Sequence, residues 1–355
     1  MNPNHIHLAL CANDRYFPGL YCAIGSVINS LSIDTAATFH VIDAGLSPEN
    51  REKLNAVISR SASHAIHWVY PPAERFERIR SGKYHISAIY RLALPEMLDV
   101  DRVIYLDSDM LVLSSLCELW EQTAKSAIST LCAVKDWETN TLAADSKEIA
   151  ALIGESHASA YFNSGLLVLN LRMARERGLT DQLLEFMQKF GDRARFPDQS
   201  ALNYCLAGRI HALESGWNTP AWAFDKQRDN TLPKIIHFTN QAPWLARRYS
   251  ASQALFEKIA LGLGLELPIP ERSIRRAVLG AIGCWLLAPS RVVWHGLRRI
   301  IAKLRDEADE ASGHLRIFDY WLDYFIGGPA RCFRYYRRRR DIRSESFRPF
   351  QRTSG

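Results

Sequence analysis

The chain has 355 residues, of which 47% are hydrophobic and 23% are charged, as in an ordinary folded soluble protein with one large domain or two. Its net charge of +6 is unevenly distributed: residues 271–355 carry 18 Lys and Arg against 9 Asp and Glu, and residues 1–270 carry 26 against 29. The chain is therefore not uniformly basic, and we expect its two parts to meet different partners.

Several motifs that would identify other classes of protein are absent from the sequence. The seven cysteines are scattered and form no C-x-x-C pair, which argues against a zinc site or a disulfide framework. Neither a Walker A nor a G-x-G-x-x-G motif occurs, which argues against kinases and dehydrogenases. The N-terminus does not resemble a signal peptide, and the most apolar tail segment, residues 277–288, is shorter than the roughly 20 residues of a membrane span. We therefore expect a cytoplasmic protein that contacts a membrane from one side only.

Strand-like and helix-like segments alternate over the first 240 residues. Strands are predicted at 5–12, 38–45, 65–70, 103–107, 129–134, 162–171 and 234–238. Helices are predicted at 19–31, 47–60, 86–98 and 198–208. This alternation predicts an α/β fold with a mostly parallel sheet and helices on both faces. Because the composition changes after Pro268 and Pro270, we place a catalytic domain at residues 1–265 and a basic region at 266–355.

Two polar clusters follow predicted strands, where ligands bind in sheets of this kind. They are "CANDRY" after the first strand and "DSD" after the fourth. Residues two apart on an extended chain point to the same side, so Asp107 and Asp109 should converge. Two carboxylates this close are tolerated if a divalent cation neutralises them, and their oxygens suit Mg²⁺ or Mn²⁺. Taken alone, the pair also fits two turn residues.

Four motifs in order resemble glycosyltransferase family 8. They are "YLDSDML", "YFNSGLLVLNL", "PDQSALN" and "HFTNQAPW", and the resemblance covers roughly residues 5–250. The family contains retaining enzymes with the Rossmann-like GT-A fold, among them bacterial lipopolysaccharide galactosyl- and glucosyltransferases. The resemblance therefore implies transfer of galactose or glucose from a UDP-sugar to a hydroxyl of a glycan acceptor, such as lipopolysaccharide or another cell-surface saccharide.

The resemblance also implies a metal site. It makes Asp107, Asp109 and His237 the ligands of a Mn²⁺ ion that bridges the donor diphosphate. An imidazole among oxygen ligands favours Mn²⁺ over Mg²⁺, although Mg²⁺ stays possible. Without the resemblance, His237 would read as an ordinary histidine at a strand end. Since the cation stabilises charge on the departing diphosphate, we expect loss of either aspartate to abolish turnover without unfolding the protein.

The donor-binding residues are likewise implied by the resemblance. In the loop after the first strand, Tyr16 matches an aromatic that stacks on uracil. Asn13 replaces a family aspartate and Arg15 an asparagine, which leaves base preference open. The full implied set is Ala12, Asn13, Tyr16, Arg91, Asp107, Ser108, Asp109, Asn163, Ser164, Asp198, Gln199, His237 and Asn240.

Three members of this set have simpler interpretations too. Arg91 matches a donor-contacting arginine, but its pattern alone predicts a charge on a helix surface. Asn163 matches a residue that binds sugar hydroxyls, with Gly165 allowing close backbone approach, yet "FNSG" also fits a simple turn. Asp198 matches an aspartate that binds sugar hydroxyls, and "PD" also fits a helix start.

The resemblance assigns catalytic roles to Gln199, Asp198 and Arg91. Gln199 matches the family residue nearest the anomeric carbon, where retaining glycosidases place a carboxylate nucleophile. Because an amide is a poor nucleophile, we favour front-side attack by the acceptor hydroxyl, with the departing phosphate taking its proton. Double displacement through Asp198 is the alternative.

One family feature is missing. Ala242 stands where the family has a phosphate-binding lysine before Pro-Trp. Asn240 stands at the family's glycine and can adopt a left-handed turn. The missing charge could come from Lys234, Arg247 or Arg248, and the sequence does not select among them.

The basic region 266–355 interleaves arginines with tryptophans and leucines. This mixture is typical of helices that lie in membrane interfaces, and family 8 lipopolysaccharide enzymes carry similar C-termini. We predict peripheral association with anionic lipid on the inner face of the cytoplasmic membrane. Arginine-rich segments also bind nucleic acid, but the interleaved apolar residues favour the membrane, and no nucleic-acid partner is expected.

Two other functions each fit part of the sequence. Metal-dependent phosphohydrolases of the haloacid dehalogenase type also place D-x-D after a strand, but normally after the first one. A non-enzymatic membrane or nucleic-acid adaptor accounts for the basic region and leaves the ordered polar motifs unexplained.

Overall fold

The computed structural model describes residues 5–79, 85–125, 129–152, 154, 159–227, 231–239, 242–245 and 250–267. These residues belong to two compact units, one made of residues 5–220 and 231–237 and the other of 221–227 and 238–267. Almost all of the predicted basic region lies outside the described residues, so its boundary and its membrane role remain predictions. None of the described helices is both long enough and apolar enough to cross a bilayer.

The strands of the described residues are numbered in chain order. They are β1 (His5–Ala12), β2 (Ala36–Asp43), β3 (His64–Val69), β4 (Arg102–Asp107), β5 (Met110–Val112), β6 (Leu131–Lys135), β7 (Phe162–Asn170), β8 (Ile210–Leu213), β9 (Thr219–Pro220) and β10 (Ile235–His237).

Seven of these strands form the main sheet, in the order β3-β2-β1-β4-β7-β6-β8. Neighbouring strands run parallel except around β7, which is antiparallel to both β4 and β6. Strands β5, β10 and β9 form a second, three-stranded sheet. The prediction of a mostly parallel α/β fold is confirmed, whereas the antiparallel direction of β7 was not predicted.

The α-helices of the described residues are α1 (Phe17–Ser30), α2 (Pro48–Ile58), α3 (Leu94–Met97), α4 (Leu116–Lys125), α5 (Leu142–Asp145), α6 (Lys147–Leu152), α7 (Leu171–Glu176), α8 (Leu179–Phe190), α9 (Pro197–Cys205), α10 (Ala221–Lys226) and α11 (Ala251–Gly262). Where sequence signals were strong, the helix starts agree with them. Ser47 caps α2 by accepting the backbone N–H of Asn50, and Pro197 occupies the first turn of α9. Helix α1 begins at Phe17 and includes Pro18, two residues before the predicted start at Gly19.

The segment predicted as one helix at 86–98 is divided. Residues Ile86–Ala93 form a 3₁₀ helix, and α3 starts afresh at Leu94. The physical reason is Pro95, which has no N–H for the carbonyl of Arg91 and whose ring would clash with it in a continuous α-helix. Arg91 therefore lies in the last turn of the 3₁₀ helix, where it is only 6% exposed. The interpretation of Arg91 as a surface charge was wrong.

Strand register brings the polar segments to one edge of the main sheet. Cys11, just before the end of β1, pairs with Asp107 at the end of β4. Because β7 is antiparallel to β4, its first residues lie at the same edge as the last residues of β4. In the second sheet, His237 pairs with Met110, directly after the D-x-D segment. The fold thus assembles residues from four distant parts of the chain.

Candidate active site

The predicted metal ligands come together at the end of β4. Asp107 is the last residue of β4, residues 108–109 form a turn, and the paired strands β5 and β10 hold His237 opposite that turn. Nε2 of His237 lies 3.7 Å from Oδ2 of Asp107 and 3.3 Å from Oδ1 of Asp109. The ligand atoms of all three lie within 4.8 Å of one another, and no other trio of His, Cys, Asp or Glu in the described part of the chain is so arranged.

The charges of the site favour a divalent cation. Arg91 is paired with Asp107 and Asp198, and Asp109 lies against His237. Three carboxylates and one guanidinium leave a net charge of −2 when His237 is neutral. Because uncompensated charge is costly at a buried site, a divalent cation is the natural complement of this cluster.

The pKa shifts of His237 and Asp107 reflect the same excess of negative charge. Burial lowers the pKa of His237, but Asp109 and Asp107 outweigh that effect and the pKa is raised. Burial also raises the pKa of Asp107, with Asp109 adding to the rise and Arg91 opposing it. A divalent cation held by these residues would act in the opposite direction on each pKa.

Arg91 connects the cluster of Asp107, Asp109 and His237 to α9, the helix that carries the predicted catalytic residues. Its guanidinium lies 2.8 Å from Oδ1 of Asp107 and 3.2 Å from Oδ2 of Asp198. Its Nη1 also donates to the carbonyl oxygen of Ser164 at 2.8 Å. The ring of Tyr105 lies 4.8 Å from the guanidinium carbon, close enough for a cation–π contact. Arg91 therefore ties β4, β7 and α9 together at one point.

Helix α9 is attached to an irregular part of β7. The pairing register between β6 and β7 shifts here, and side chains of α9 bond the β7 backbone. Oε1 of Gln199 accepts the N–H of Ser164 at 3.0 Å. Asn203 accepts the N–H of Phe162 at 2.7 Å and donates to its carbonyl at 2.8 Å. Such irregularities are common beside active sites, and this one fixes Gln199 close to Asn163.

Two site residues were missed by the sequence predictions. Oδ2 of Asp136 accepts from Asn163 at 3.1 Å and from Gln199 at 3.4 Å. Asn218 donates to Oδ1 of Asn163 at 2.8 Å, and its own Oδ1 lies 2.9 Å from Nδ1 of His237. Asp136 directly follows β6, so the strand-end rule that identified the D-x-D pair could have found it. Asn218 ends a 3₁₀ helix and carries no sequence signal that we recognise.

Gly165 permits a close approach to the backbone of β7, and the group that lies close to it is the ring of His237. A Cβ atom at position 165 would lie 2.3 Å from Cε1 of His237 and 2.8 Å from the methyl carbon of Met110. Real Cβ atoms do not come this close to other atoms, so any larger residue would displace the imidazole ring. The ring is thus packed into one position against the backbone of β7.

The predicted uridine residues lie at the same edge of the sheet. Ala12 is buried at the end of β1, and Oδ1 of Asn13 accepts the backbone N–H of Tyr16 at 3.3 Å. Tyr16 is 37% exposed. Burial raises the pKa of Tyr16, and the charge of Asp109 adds to that rise. Stacking of this ring on a nucleotide base stays a prediction.

The remaining predicted residues divide into described and undescribed ones. Ser108 is buried in the turn between Asp107 and Asp109. Lys234 pairs with Glu118 at 2.6 Å and with Glu214 at 3.3 Å, and its role as a substitute for the missing lysine stays a prediction. The other positions suggested for this loop, Asn240, Arg247 and Arg248, lie outside the described residues.

Comparisons with known proteins agree with this geometry. The protein-family model for glycosyl transferase family 8 matches residues 7–247. General stress protein A of Bacillus subtilis (strain 168) is 25% identical over 259 residues, which are 67% of this chain and 87% of that protein. The glycosyltransferase GlyF of Streptococcus pneumoniae serotype 4 is 25% identical over 256 residues, which are 69% of this chain and 58% of that protein.

One of the similar solved structures covers three quarters of this chain. It is the crystal structure of the galactosyltransferase LgtC in complex with donor and acceptor sugar analogues. The sequence identity is 26% and the TM-score 0.60, over 75% of this chain and 98% of that one.

We expect the two aspartates to differ in their effect on stability, which revises the expectation from sequence that neither matters for folding. Asp107→Asn removes a partner of the buried Arg91, and breaking such a pair costs about 3 kcal/mol. In the described part of the chain, the one ion pair of Asp109 is with His237, so Asp109→Asn should change the free energy of unfolding by less than about 1 kcal/mol. Urea unfolding of both variants measures the difference, and equal midpoints would contradict this reading of Arg91.

Proposed function

Because this chain belongs to glycosyltransferase family 8, we propose that it transfers galactose or glucose from a UDP-sugar to a hydroxyl of a saccharide acceptor, with Mn²⁺ held at the D-x-D cluster. The observation that carries the proposal is the convergence of Asp107, Asp109 and His237 within 4.8 Å. The similar LgtC structure contains donor and acceptor sugar analogues, which supports a sugar donor and a saccharide acceptor here.

The residues present fit a manganese ion. Two carboxylates and one imidazole are a mixed oxygen and nitrogen ligand set, which suits Mn²⁺ better than the all-oxygen shell preferred by Mg²⁺. Their net charge of −2 together with Arg91 and Asp198 matches a divalent ion. When bound, the cation would stabilise the negative charge that develops on the departing diphosphate.

The contacts of Asp198 support front-side transfer. Its carboxylate is held by Arg91 at 3.2 Å and by the hydroxyl of Ser164 at 3.3 Å. Charge-assisted bonds of this kind stabilise the anion and make it a weaker nucleophile. Double displacement would require Asp198 to leave both partners before attacking the sugar. Asp198 is therefore better suited to accepting hydrogen bonds from sugar hydroxyls.

In the proposed reaction, the acceptor hydroxyl attacks the anomeric carbon from the side on which UDP departs. A new bond forms between that carbon and the acceptor oxygen as the bond to the phosphate oxygen breaks. The acceptor proton passes to the departing phosphate, so no side chain needs to act as the base. The amide of Gln199, held by Ser164 and Asp136, stabilises the positive charge on the sugar ring with its dipole.

Phosphohydrolase activity is less well supported. In those enzymes an aspartate after a strand attacks phosphorus and therefore needs an available carboxylate oxygen. Oδ1 of Asp107 accepts from Arg91 at 2.8 Å and from Tyr105 at 3.0 Å, and Oδ2 faces His237. These contacts suit a fixed ligand rather than a nucleophile.

We also propose that the acceptor is lipopolysaccharide or another cell-surface saccharide, reached from the cytoplasmic face of the membrane. The support is in the sequence: residues 271–355 have nine more basic than acidic residues and contain aromatic side chains such as Trp285 and Trp294. Each basic residue near an anionic leaflet contributes about 1 kcal/mol to binding.

Donor use tests the central proposal. We expect UDP release from UDP-galactose or UDP-glucose with a saccharide acceptor, loss of activity with EDTA, and recovery that is greater with Mn²⁺ than with Mg²⁺. Asp109→Asn should lower kcat by at least about 100-fold, since it removes charge that positions the cation. The exposed Asp34→Asn is the matched control and should leave kcat unchanged. Hydrolysis of phosphate esters without use of any nucleotide sugar would contradict the proposal.

Membrane association is tested by flotation of the full-length protein with lipid vesicles. We expect it to float with vesicles that contain phosphatidylglycerol and to remain unbound with neutral phosphatidylcholine. Replacement of the four arginines at 337–340 by serine should weaken flotation, and high salt should do the same. Equal flotation with both vesicle types would contradict an electrostatic anchor.

A further inference from the structure

We propose that Asp136, Asn163 and Asn218 form a directed hydrogen-bond relay that sets the tautomer of His237, so that its Nε2 lone pair faces Asp107 and Asp109. All three are positioning residues in this account, since they act through His237. The inference adds to the proposed function, because it concerns how the metal ligand is prepared rather than which donor is used.

The relay has a defined start at Asp136. An ionised carboxylate only accepts hydrogen bonds. Oδ1 of Asp136 accepts the backbone N–H groups of Glu138 at 3.0 Å and Thr139 at 2.7 Å. Oδ2 lies 3.1 Å from the side-chain amide of Asn163, so Asn163 must present its NH₂ group there. The backbone turn thus orients the carboxylate, and the carboxylate orients the amide.

A second contact fixes Asn163 independently. Its Oδ1 accepts the backbone N–H of Gly165 at 2.9 Å, and a backbone N–H can only donate. The same Oδ1 lies 2.8 Å from the side chain of Asn218, which must therefore present its NH₂ group to Asn163. The carbonyl oxygen of Asn218 is then left to face His237.

The hydrogen bond between Asn218 and His237 sets the tautomer of the imidazole ring. Oδ1 of Asn218 lies 2.9 Å from Nδ1 of His237, so Nδ1 must carry the proton. In the neutral ring, Nε2 then has the lone pair, and Nε2 is the atom that lies 3.3 Å from Asp109. Asn218 and His237 are 2% and 4% exposed, so water does not compete readily for these bonds. The backbone at Gly165 holds the ring in place.

The relay matters because an isolated imidazole ring prefers the other tautomer. An unconstrained neutral histidine favours the tautomer with the proton on Nε2, which would direct an N–H at the cation. Hydrogen-bond partners of metal-bound histidines typically change metal affinity by about 10–100-fold, because they fix the tautomer and the ring orientation. Here that control extends through two asparagines to the carboxylate of Asp136, which directly follows β6.

The primary test is the ¹⁵N spectrum of the His237 ring in the metal-free protein at pH 9, which distinguishes a protonated from an unprotonated ring nitrogen. We expect the wild type to have a protonated Nδ1 and an unprotonated Nε2. Asp136→Asn keeps its amide oxygen on the backbone N–H groups of Glu138 and Thr139 and turns an NH₂ group toward Asn163, which opposes the orientation that Gly165 imposes and should give a mixture of both tautomers. Asn163→Leu breaks the middle link and should give the same mixture, which keeps the test available if Asp136→Asn does not fold.

Mn²⁺ binding without nucleotide is the second readout. Asn218→Ala should weaken Mn²⁺ affinity by about 10–100-fold, whereas Asn218→Asp, which still accepts from Nδ1, should stay within about threefold of wild type. Trp137→Phe is the matched control, because the indole N–H bonds only the backbone carbonyl of Asn218 in this network. It should leave the tautomer and the affinity unchanged.

Two results would overturn the relay. One is a wild-type spectrum in which Nε2 carries the proton and Nδ1 does not. The other is an unchanged tautomer in both Asp136→Asn and Asn163→Leu. Because the spectrum is recorded without metal or donor, failure of the relay is distinguishable from failure of the proposed function, which would appear as absence of sugar transfer.

Discussion

Three carboxylates converge on one buried guanidinium and one imidazole, and the arrangement of the rest of the site depends on this concentration of negative charge. Arg91 balances one charge by bridging Asp107 and Asp198, which leaves the equivalent of two charges around His237. A site of this kind is costly to build unless a divalent cation completes it. A bound cation would offset this cost in a glycosyltransferase whose proposed donor carries a diphosphate.

The fold supplies this site by bringing strand ends together. The parallel pair β1 and β4 places the loop after β1 beside the D-x-D turn. The antiparallel strand β7 brings Asn163 and Ser164 to the same edge, and β10 adds His237 through its pairing with β5. Side chains of α9 bond the irregular start of β7, so the predicted catalytic residues are fixed by backbone contacts as well as by charge.

What could be predicted from sequence was local or motif-based. The alternation of elements predicts the α/β fold, and the position of Asp107 after a buried strand predicts its place at the ligand edge. The resemblance to family 8 predicted that His237 joins the two aspartates, which no local pattern reveals. Asn218 could not be predicted, because its role depends on contacts with residues 19 and 55 positions away. The burial of Arg91 depends on contacts with Asp107, Ser164 and Asp198, which come from other elements and which hydrophobic spacing alone does not register.

We propose that a divalent cation binds to the excess negative charge of this cluster. The most direct test is a crystal structure with MnCl₂ and UDP, with anomalous diffraction recorded at the manganese edge. The account predicts one strong anomalous peak bounded by carboxylate oxygens of Asp107 and Asp109 and by Nε2 of His237, in contact with the diphosphate. A bound UDP with no peak at these three side chains, or a peak elsewhere in the protein, would contradict it.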